Sequence, residues 1–527
     1  MNIFRSKISD EIKRESLAIY EEDDNNEYVN KIEDKEEKER KKKAEKYVQS
    51  SFNNFIFHFK NGEQALQKDI KNCKKMEIHS DSRDIIWLFF LGILPYNNPP
   101  IWKKIMTEQR CIYDSLKKRY ITKEINEFIE TKKIKDKYSL YYKYKEILTK
   151  EDYSILDLIK VDVNRTFQKI ELFHLEKIQK ILINILFIFA KKNEEIKYKQ
   201  GMSELAAVFL YVLYKEQVLK PAFITGKEAF LYYFFHSNNE FLEHDTYLMF
   251  SNFMLKGFLT FFKYTDEIYR DAQLSELESE QKRLLTKNDI LNSKDSELKK
   301  RIFLLYYDKL PILDKNLYIF MSEKVDPEVF IIKWYICIFT REFPINQVVH
   351  LWDLILLYDY IEQNLLNKNK NKMKIIKNKI NDIDIKEQEN FYSNDNLKTL
   401  NEIITDKNIN NNNVNNKEEI NINNNNINIE DNNKNNDNKE DLNIKNNNII
   451  IEDNKKDDNI NDLDRKFCFI DYIALSMILK IKNLILKKRS SSELISFLMK
   501  YPQDIEFEDI YQKALDIYYK FNPNVKV

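Results

Sequence analysis

Glycine is nearly missing from this 527-residue chain, which has five glycines and nine prolines. So few backbone breakers leave little material for tight turns. Together with abundant Leu, Ile, Lys and Glu, they predict a mainly helical protein. Cysteine is scarce too: Cys73, Cys111, Cys337 and Cys468 are widely separated and form no CxxC pair. That argues against structural zinc and a disulfide framework, and reads the four as buried thiols in a reducing compartment. The six histidines (His58, His79, His174, His236, His244 and His350) include no HExxH spacing, so each is expected to be structural and no metal is expected. Net charge is absent as well, with 85 basic and 85 acidic residues. A nucleic-acid binder would normally carry a basic surplus, and the one basic stretch, Lys35 to Lys46, has Glu interleaved. Long apolar runs are missing: Ile85 to Pro95 reaches about half of the ~20 residues that cross a bilayer. The first ten residues lack a signal peptide's apolar stretch, so membrane contact is expected to be peripheral.

What is present is patterned. Residues 1–49 are dominated by Glu, Asp, Lys and Asn and read as a solvated helix or a disordered arm. From about residue 50 to 520 the apolar content supports one large all-helical domain; the chain as a whole is 43% hydrophobic. Asp84 to Pro95 is apolar almost all round, which predicts a buried helix stopped by Pro95. Leu175, Ile178, Leu182, Ile185, Leu186 and Phe189 recur at steps of three and four, as do Leu205, Val208, Phe209 and Val212. Two stretches interrupt the domain. Residues 264–300 are charged and read as a helical or partly disordered insertion. Residues 364–462 are Asn- and Lys-rich and bury too little apolar surface to offset the entropy of ordering. Helical patterning resumes at Phe467, so the long tract reads as a loop inserted into one domain.

Two short motifs carry chemistry. In Ile159-Lys-Val-Asp162-Val-Asn-Arg165, the carboxylate and guanidinium share a helical face. Arg165 held by Asp162 could neutralise the charge that develops on a departing γ-phosphate; the pair could equally be an ordinary surface salt bridge. In Tyr198-Lys-Gln200-Gly201, a neutral amide stands beside a rare glycine, with Tyr198 placed to support the loop. Gln200 could orient a nucleophilic water, or could cap the helix that starts at Met202. Neither GxxxxGK[ST] nor GxGxxG occurs, so the nucleotide that these two residues suit has to be carried by another protein.

These residues resemble the TBC domain of Rab GTPase-activating proteins. Ile159-x-x-Asp162-x-x-Arg165 looks like the family's arginine-finger motif and Tyr198-x-Gln200-Gly201 like its glutamine-finger motif. Arg83 to Trp87 with Leu91-Gly92, then Trp102, Arg110 and Tyr113, resemble its opening helices. Phe241 to Asp245 through Phe250, Trp334, Arg341 to Pro344, and Leu351-Trp352-Asp353 resemble later signatures. Finer details, such as Leu242-Glu-His-Asp245 and Leu498-Met-Lys-Tyr-Pro502, point to a subgroup associated with retromer and late-endosomal Rab proteins.

The resemblance implies an all-α fold of two helical lobes with a central groove that receives a Rab-family GTPase. It implies that Arg165 and Gln200 act in trans, with Asp162, Tyr198 and Gly201 supporting them, and that Arg341 and Trp352 hold the second lobe together. The chain would then be a GTPase activator with no cofactor of its own, GTP and Mg2+ coming with the partner. Endosomal membranes and retromer-like coat components are the expected surroundings, from a cytoplasmic location. The alternative is a non-catalytic module that regulates trafficking by occupying a Rab or coat complex.

Overall fold

The structure is a computed structural model that describes residues 33–78, 82–130, 149–216, 224, 226–236, 240–262, 277–364, 466–523 and 525. The first part of the charged arm, residues 264–276 of the first insertion and residues 365–462 of the Asn-rich tract lie outside the described residues. Among the described residues every regular element is helical.

Helix α1 (Glu33–Lys74) takes in the last third of the arm. Its charged start gives way to a face bearing Phe55, Ala65 and Cys73, all buried. Phe55 meets Trp102 and Tyr232 edge-on, and the Tyr232 hydroxyl donates to Ser51 Oγ at 2.9 Å. The helix kinks at Gly62 (φ 38°), where a Cβ would stand 3.1 Å from the Tyr96 carbonyl oxygen. Helix α2 (Arg83–Phe90) is buried along its whole length, as its apolar run predicts, but it stops before Pro95. Gly92 takes a left-handed φ of 69° and ends it, donating its N–H to the Phe89 carbonyl at 2.8 Å.

The centre is built from α3 (Trp102–Tyr120), α4 (Lys123–Glu130), α5 (Lys150–Arg165), α6 (Glu176–Lys192) and α7 (Met202–Glu216). The spacing in α6 predicts one apolar face; the structure buries every residue from Ile181 to Ala190. Helices α3, α4, α5 and α7 surround it, and a fifth neighbour follows below. Each fully buried Ile or Leu there contributes about 1.5–3 kcal/mol relative to an exposed one. Leu175 departs from the pattern: it is the helix's N-cap residue and half exposed.

Helix α8 (Lys227–His236) packs on α1, and α9 (Leu242–Phe253) completes the ring around α6. Part of the charged stretch 264–300 is well packed. Helices α10 (Ser279–Leu284), α11 (Lys287–Asn292) and α12 (Glu297–Phe303) bury Ile290, Leu298 and Ile302, and α12 lies on the later helix α14. The longer helices that follow are α13 (Lys315–Ser322), α14 (Glu328–Cys337), α15 (345–364), α16 (Phe469–Lys480), α17 (Ser491–Met499) and α18 (Phe507–Phe521).

Three buried Arg–Asp pairs join distant parts of this sequence. Arg83 grips Asp353 through Nε at 3.0 Å and Nη2 at 3.1 Å, while Trp87 Nε1 donates to the same carboxylate at 2.7 Å. Arg110 grips Asp245 at 2.9 and 2.6 Å and also donates to the Phe234 carbonyl. Arg301 donates to Asp471 at 2.7 Å and to the Lys466 and Phe467 carbonyls, with Lys309 on the other carboxylate oxygen. The signatures Arg83…Trp87 and Leu351-Trp352-Asp353 are therefore two halves of one contact. Trp87 and Trp352 stack with centroids 5.9 Å apart. Of the cysteines, three are buried as expected; Cys111 is exposed, on the outer face of α3.

Candidate functional site: a guanidinium and an amide on one support

Helix α5 begins with a capping box, in which Thr149 Oγ1 accepts from the Asp152 N–H at 3.1 Å and Asp152 accepts from the Thr149 N–H at 3.2 Å. Its inner face, Tyr153, Leu156, Ile159 and Val163, is buried and fixes the helix's rotation. That rotation turns Asp162 inward and Arg165 outward. Arg165 closes the last turn, where a cation complements the helix macrodipole, and Thr166 then takes an extended conformation. Arg165 Nη2 lies 2.5 Å from Asp162 Oδ1; the arginine side chain is 43% exposed and the carboxylate 1%. One oxygen of the carboxylate is thus engaged by one end of the fork, and the rest of the guanidinium faces outward.

The Gln200 loop starts where α6 ends at Asn193, whose side chain donates to the Phe189 carbonyl at 2.8 Å. Lys197 is left-handed (φ 61°) and reverses the chain. Tyr198 is buried, and its hydroxyl donates to Asp162 Oδ2 at 2.8 Å. Burial, then the charge of Asp162, pushes the Tyr198 phenol well above its ordinary value, so it remains a donor at neutral pH. Asp162 is therefore a hub, with Arg165 on one oxygen and Tyr198 on the other. A second link runs in parallel: Thr166 Oγ1 donates to Ser203 Oγ at 3.0 Å and Ser203 opens α7.

Gln200 itself is exposed, and among the described residues its side chain makes no hydrogen bond. The capping alternative is thereby removed: the amide points outward, available to a ligand. Gly201 (φ +102°) is required here, because a Cβ would stand 3.1 Å from Ile336 Cγ2 and 3.6 Å from Cys337 Sγ. One turn on, Glu204 accepts from Arg341 Nε at 2.7 Å and from the Thr340 hydroxyl. Arg341 thus has a structural partner, and through it the turn after α14 is joined to α7. Trp352 is buried against Trp87, Phe209 and Phe253, so it too spans both halves of the chain.

The structure links Asp162 to Arg165 and to Tyr198, and Gln200 and Gly201 follow Tyr198 in the same loop. Reading the sequence missed Thr166, Ser203, Glu204, Thr340 and Arg341 as parts of this region. Ser203 and Thr166 adjoin the two motifs, and a donor–acceptor pair could have been suspected there. Nothing in the spacing connects Glu204 to a turn 136 residues away. Among the described residues no group of His, Cys, Asp and Glu is arranged to hold a metal ion.

An all-helical domain that presents an outward arginine and an outward glutamine on one buried support agrees with what its sequence matches. The family model for the Rab-GTPase-TBC domain matches residues 80–278 and 282–368. More than half of the chain is covered, and the chain belongs to that family. It is similar to TBC1 domain family member 5 of Mus musculus, at 26% identity over 52% of this chain and 33% of the relative. TBC1 domain family member 5 of Homo sapiens is 26% identical over 53% of this chain and 36% of the relative. The GTPase-activating protein GYP1 of Saccharomyces cerevisiae is 22% identical over 55% of this chain and 37% of the relative. The chain thus spans about a third of the length of these relatives. Among solved structures, the Ypt/Rab-GAP domain of Gyp1p aligns with a TM-score of 0.47 at 14% identity, covering 87% of this chain and 94% of that one.

Proposed function

We propose that this protein accelerates GTP hydrolysis by a Rab-type small GTPase, supplying Arg165 and Gln200 to a nucleotide that the partner binds together with its Mg2+. The observation that carries the reading is the sharing of Asp162: one buried carboxylate anchors both the exposed arginine and, through Tyr198, the loop of the exposed glutamine. Two groups held on one support keep a fixed separation. Phosphoryl transfer has that need, since catalysis is largely positioning and charge stabilisation. The guanidinium would meet the charge that grows on the equatorial oxygens as the γ-phosphate departs. The Gln200 amide, with no hydrogen-bond partner among the described residues, would accept from and donate to the attacking water.

Family membership and the yeast relative, a GTPase-activating protein by name, support the same reading. Recruitment from the cytoplasm to endosomal membranes belongs to the proposal as well, with peripheral contact. No helix among the described residues is long and apolar enough to cross a membrane.

The test is phosphate release from a panel of GTP-loaded Rab proteins, with and without the chain. At least one member is expected to be accelerated, and Arg165→Ala and Gln200→Ala are each expected to remove most of that acceleration. Acceleration that survives in both variants would exclude the two-residue mechanism.

A further inference from the structure

The Gln200 loop is held from two sides, and only one of them belongs to the motifs. On the first side are the Tyr198–Asp162 and Thr166–Ser203 hydrogen bonds, at 2.8 and 3.0 Å. The second side is the turn after α14. There the chain takes two consecutive left-handed residues, Ile338 (φ 45°) and Phe339 (φ 61°), both fully buried. Side chains with a Cβ adopt that conformation at a cost, so the surroundings must hold the turn in place. They do: Phe339 N–H donates to the Trp334 carbonyl at 3.1 Å, and Trp352 Nε1 donates to the Ile338 carbonyl at 3.3 Å. The strained turn delivers Thr340 and Arg341 side by side to Glu204.

Glu204 is 9% exposed and has both oxygens engaged, Oε1 by Arg341 Nε at 2.7 Å and Oε2 by the Thr340 hydroxyl. It lies in the first turn of α7, and its own N–H donates to the Gly201 carbonyl at 3.2 Å. Gly201 rests against Ile336 and Cys337, at the end of the helix that leads into the same turn. The Gln200 loop therefore meets the C-terminal helices at this turn in two ways, by packing at Gly201 and by a charged clamp at Glu204. A carboxylate this buried is committed: it is worth keeping only where its partners are fixed.

We infer that Glu204, clamped by Thr340 and Arg341, is a positioning residue that sets where the Gln200 amide stands relative to Arg165. It touches neither nucleotide nor water in this account and acts through the Gln200 loop. The inference rests on the activating function proposed above. Arg165 hangs from α5 alone, whereas Gln200 is registered against both halves of the chain. Loosening the clamp is expected to displace the water-orienting group while leaving the arginine in place.

The experiment uses the full chain and the Rab protein that responds most strongly in the panel screen. Glu204→Gln keeps the shape and removes the charge; Thr340→Val removes one of the two partners and is the milder change if the first variant unfolds early. The expected result is a fall in kcat of about 10²-fold for Glu204→Gln, the scale of a misplaced catalytic group, with KM within about threefold of the parent chain. Binding is the second readout. The GTPase loaded with GDP and aluminium fluoride, which mimics the transition state, is expected to bind the variant far more weakly. The same GTPase loaded with a non-hydrolysable GTP analogue is expected to bind as before. Equal kcat in variant and parent, or equal weakening with both nucleotides, would overturn the positioning role. If the parent chain accelerates no GTPase while remaining folded, the activating function itself fails and this inference with it.

Discussion

Four Arg–Asp pairs among the described residues use the same two functional groups to different ends. Arg83–Asp353, Arg110–Asp245 and Arg301–Asp471 are buried on both sides, and each guanidinium spends its donors inside the protein on a carboxylate and on backbone carbonyls. Arg165–Asp162 is asymmetric: the carboxylate is as buried as the others, but the guanidinium is 43% exposed. The buried pairs neutralise one another and tie distant helices together. The fourth uses a buried acid to hold an outward cation in one place. What separates the fourth pair from the others is which partner faces water, and the chemistry of the pair alone does not reveal it.

The comparison breaks most severely at the buried pairs. Arg301→Ala is expected to cost about 3–5 kcal/mol of unfolding free energy, because Asp471 would keep its charge with only Lys309 and Tyr335 against it. Chemical denaturation checks this, and a loss under about 1 kcal/mol would make the pair dispensable. Gln200→Ala should reverse the pattern. Its side chain has no hydrogen-bond partner among the described residues, so stability should be unchanged within about 0.5 kcal/mol. Hydrolysis should fall by about 10²–10³-fold, the scale for losing one preorganised polar group. Gly201→Ala lies between the two, with about 1–3 kcal/mol lost to backbone strain and the close approach of Ile336, together with reduced kcat.

The smallest effect expected is in pH. His58 is paired with Asp69 at 2.8 Å in a buried contact. Burial lowers its pKa, but the hydrogen bond and charge of Asp69, with the Asn54 carbonyl, outweigh burial and raise it. A raised histidine pKa contributes stability that is full below the unfolded value near ~6.5 and is lost as pH rises through the folded one. Stability measured from pH 6 upward should decline, and His58→Gln should flatten that part of the decline.

Much of the fold was legible because helical periodicity is local. The apolar runs of α2, α6 and α7 need only their own sequence to declare themselves. Less legible was how fully α6 is enclosed, since a spacing shows one face and says nothing about the number of neighbours. The end of α2 was misplaced because a single left-handed glycine, Gly92, acted before Pro95 could. Arg165 and Gln200 were legible as candidates through their motifs, and Asp162 through its spacing from Arg165. That Asp162 is shared with Tyr198, and that Glu204 reaches Thr340 and Arg341, depends on contacts between segments far apart in the chain. A pattern within one segment carries no trace of them.

The exposed side of the fourth pair is expected to serve the partner's chemistry and the protein's own stability hardly at all. Arg165→Ala separates the two when hydrolysis and unfolding are measured on the same preparation. A loss of about 10³-fold or more is expected in the acceleration of the responsive Rab protein. Unfolding free energy is expected to change by about 1 kcal/mol or less, because removing the arginine lets water reach Asp162, which keeps its Tyr198 hydrogen bond. Full acceleration by the variant, or a stability loss as large as that of Arg301→Ala, would contradict it.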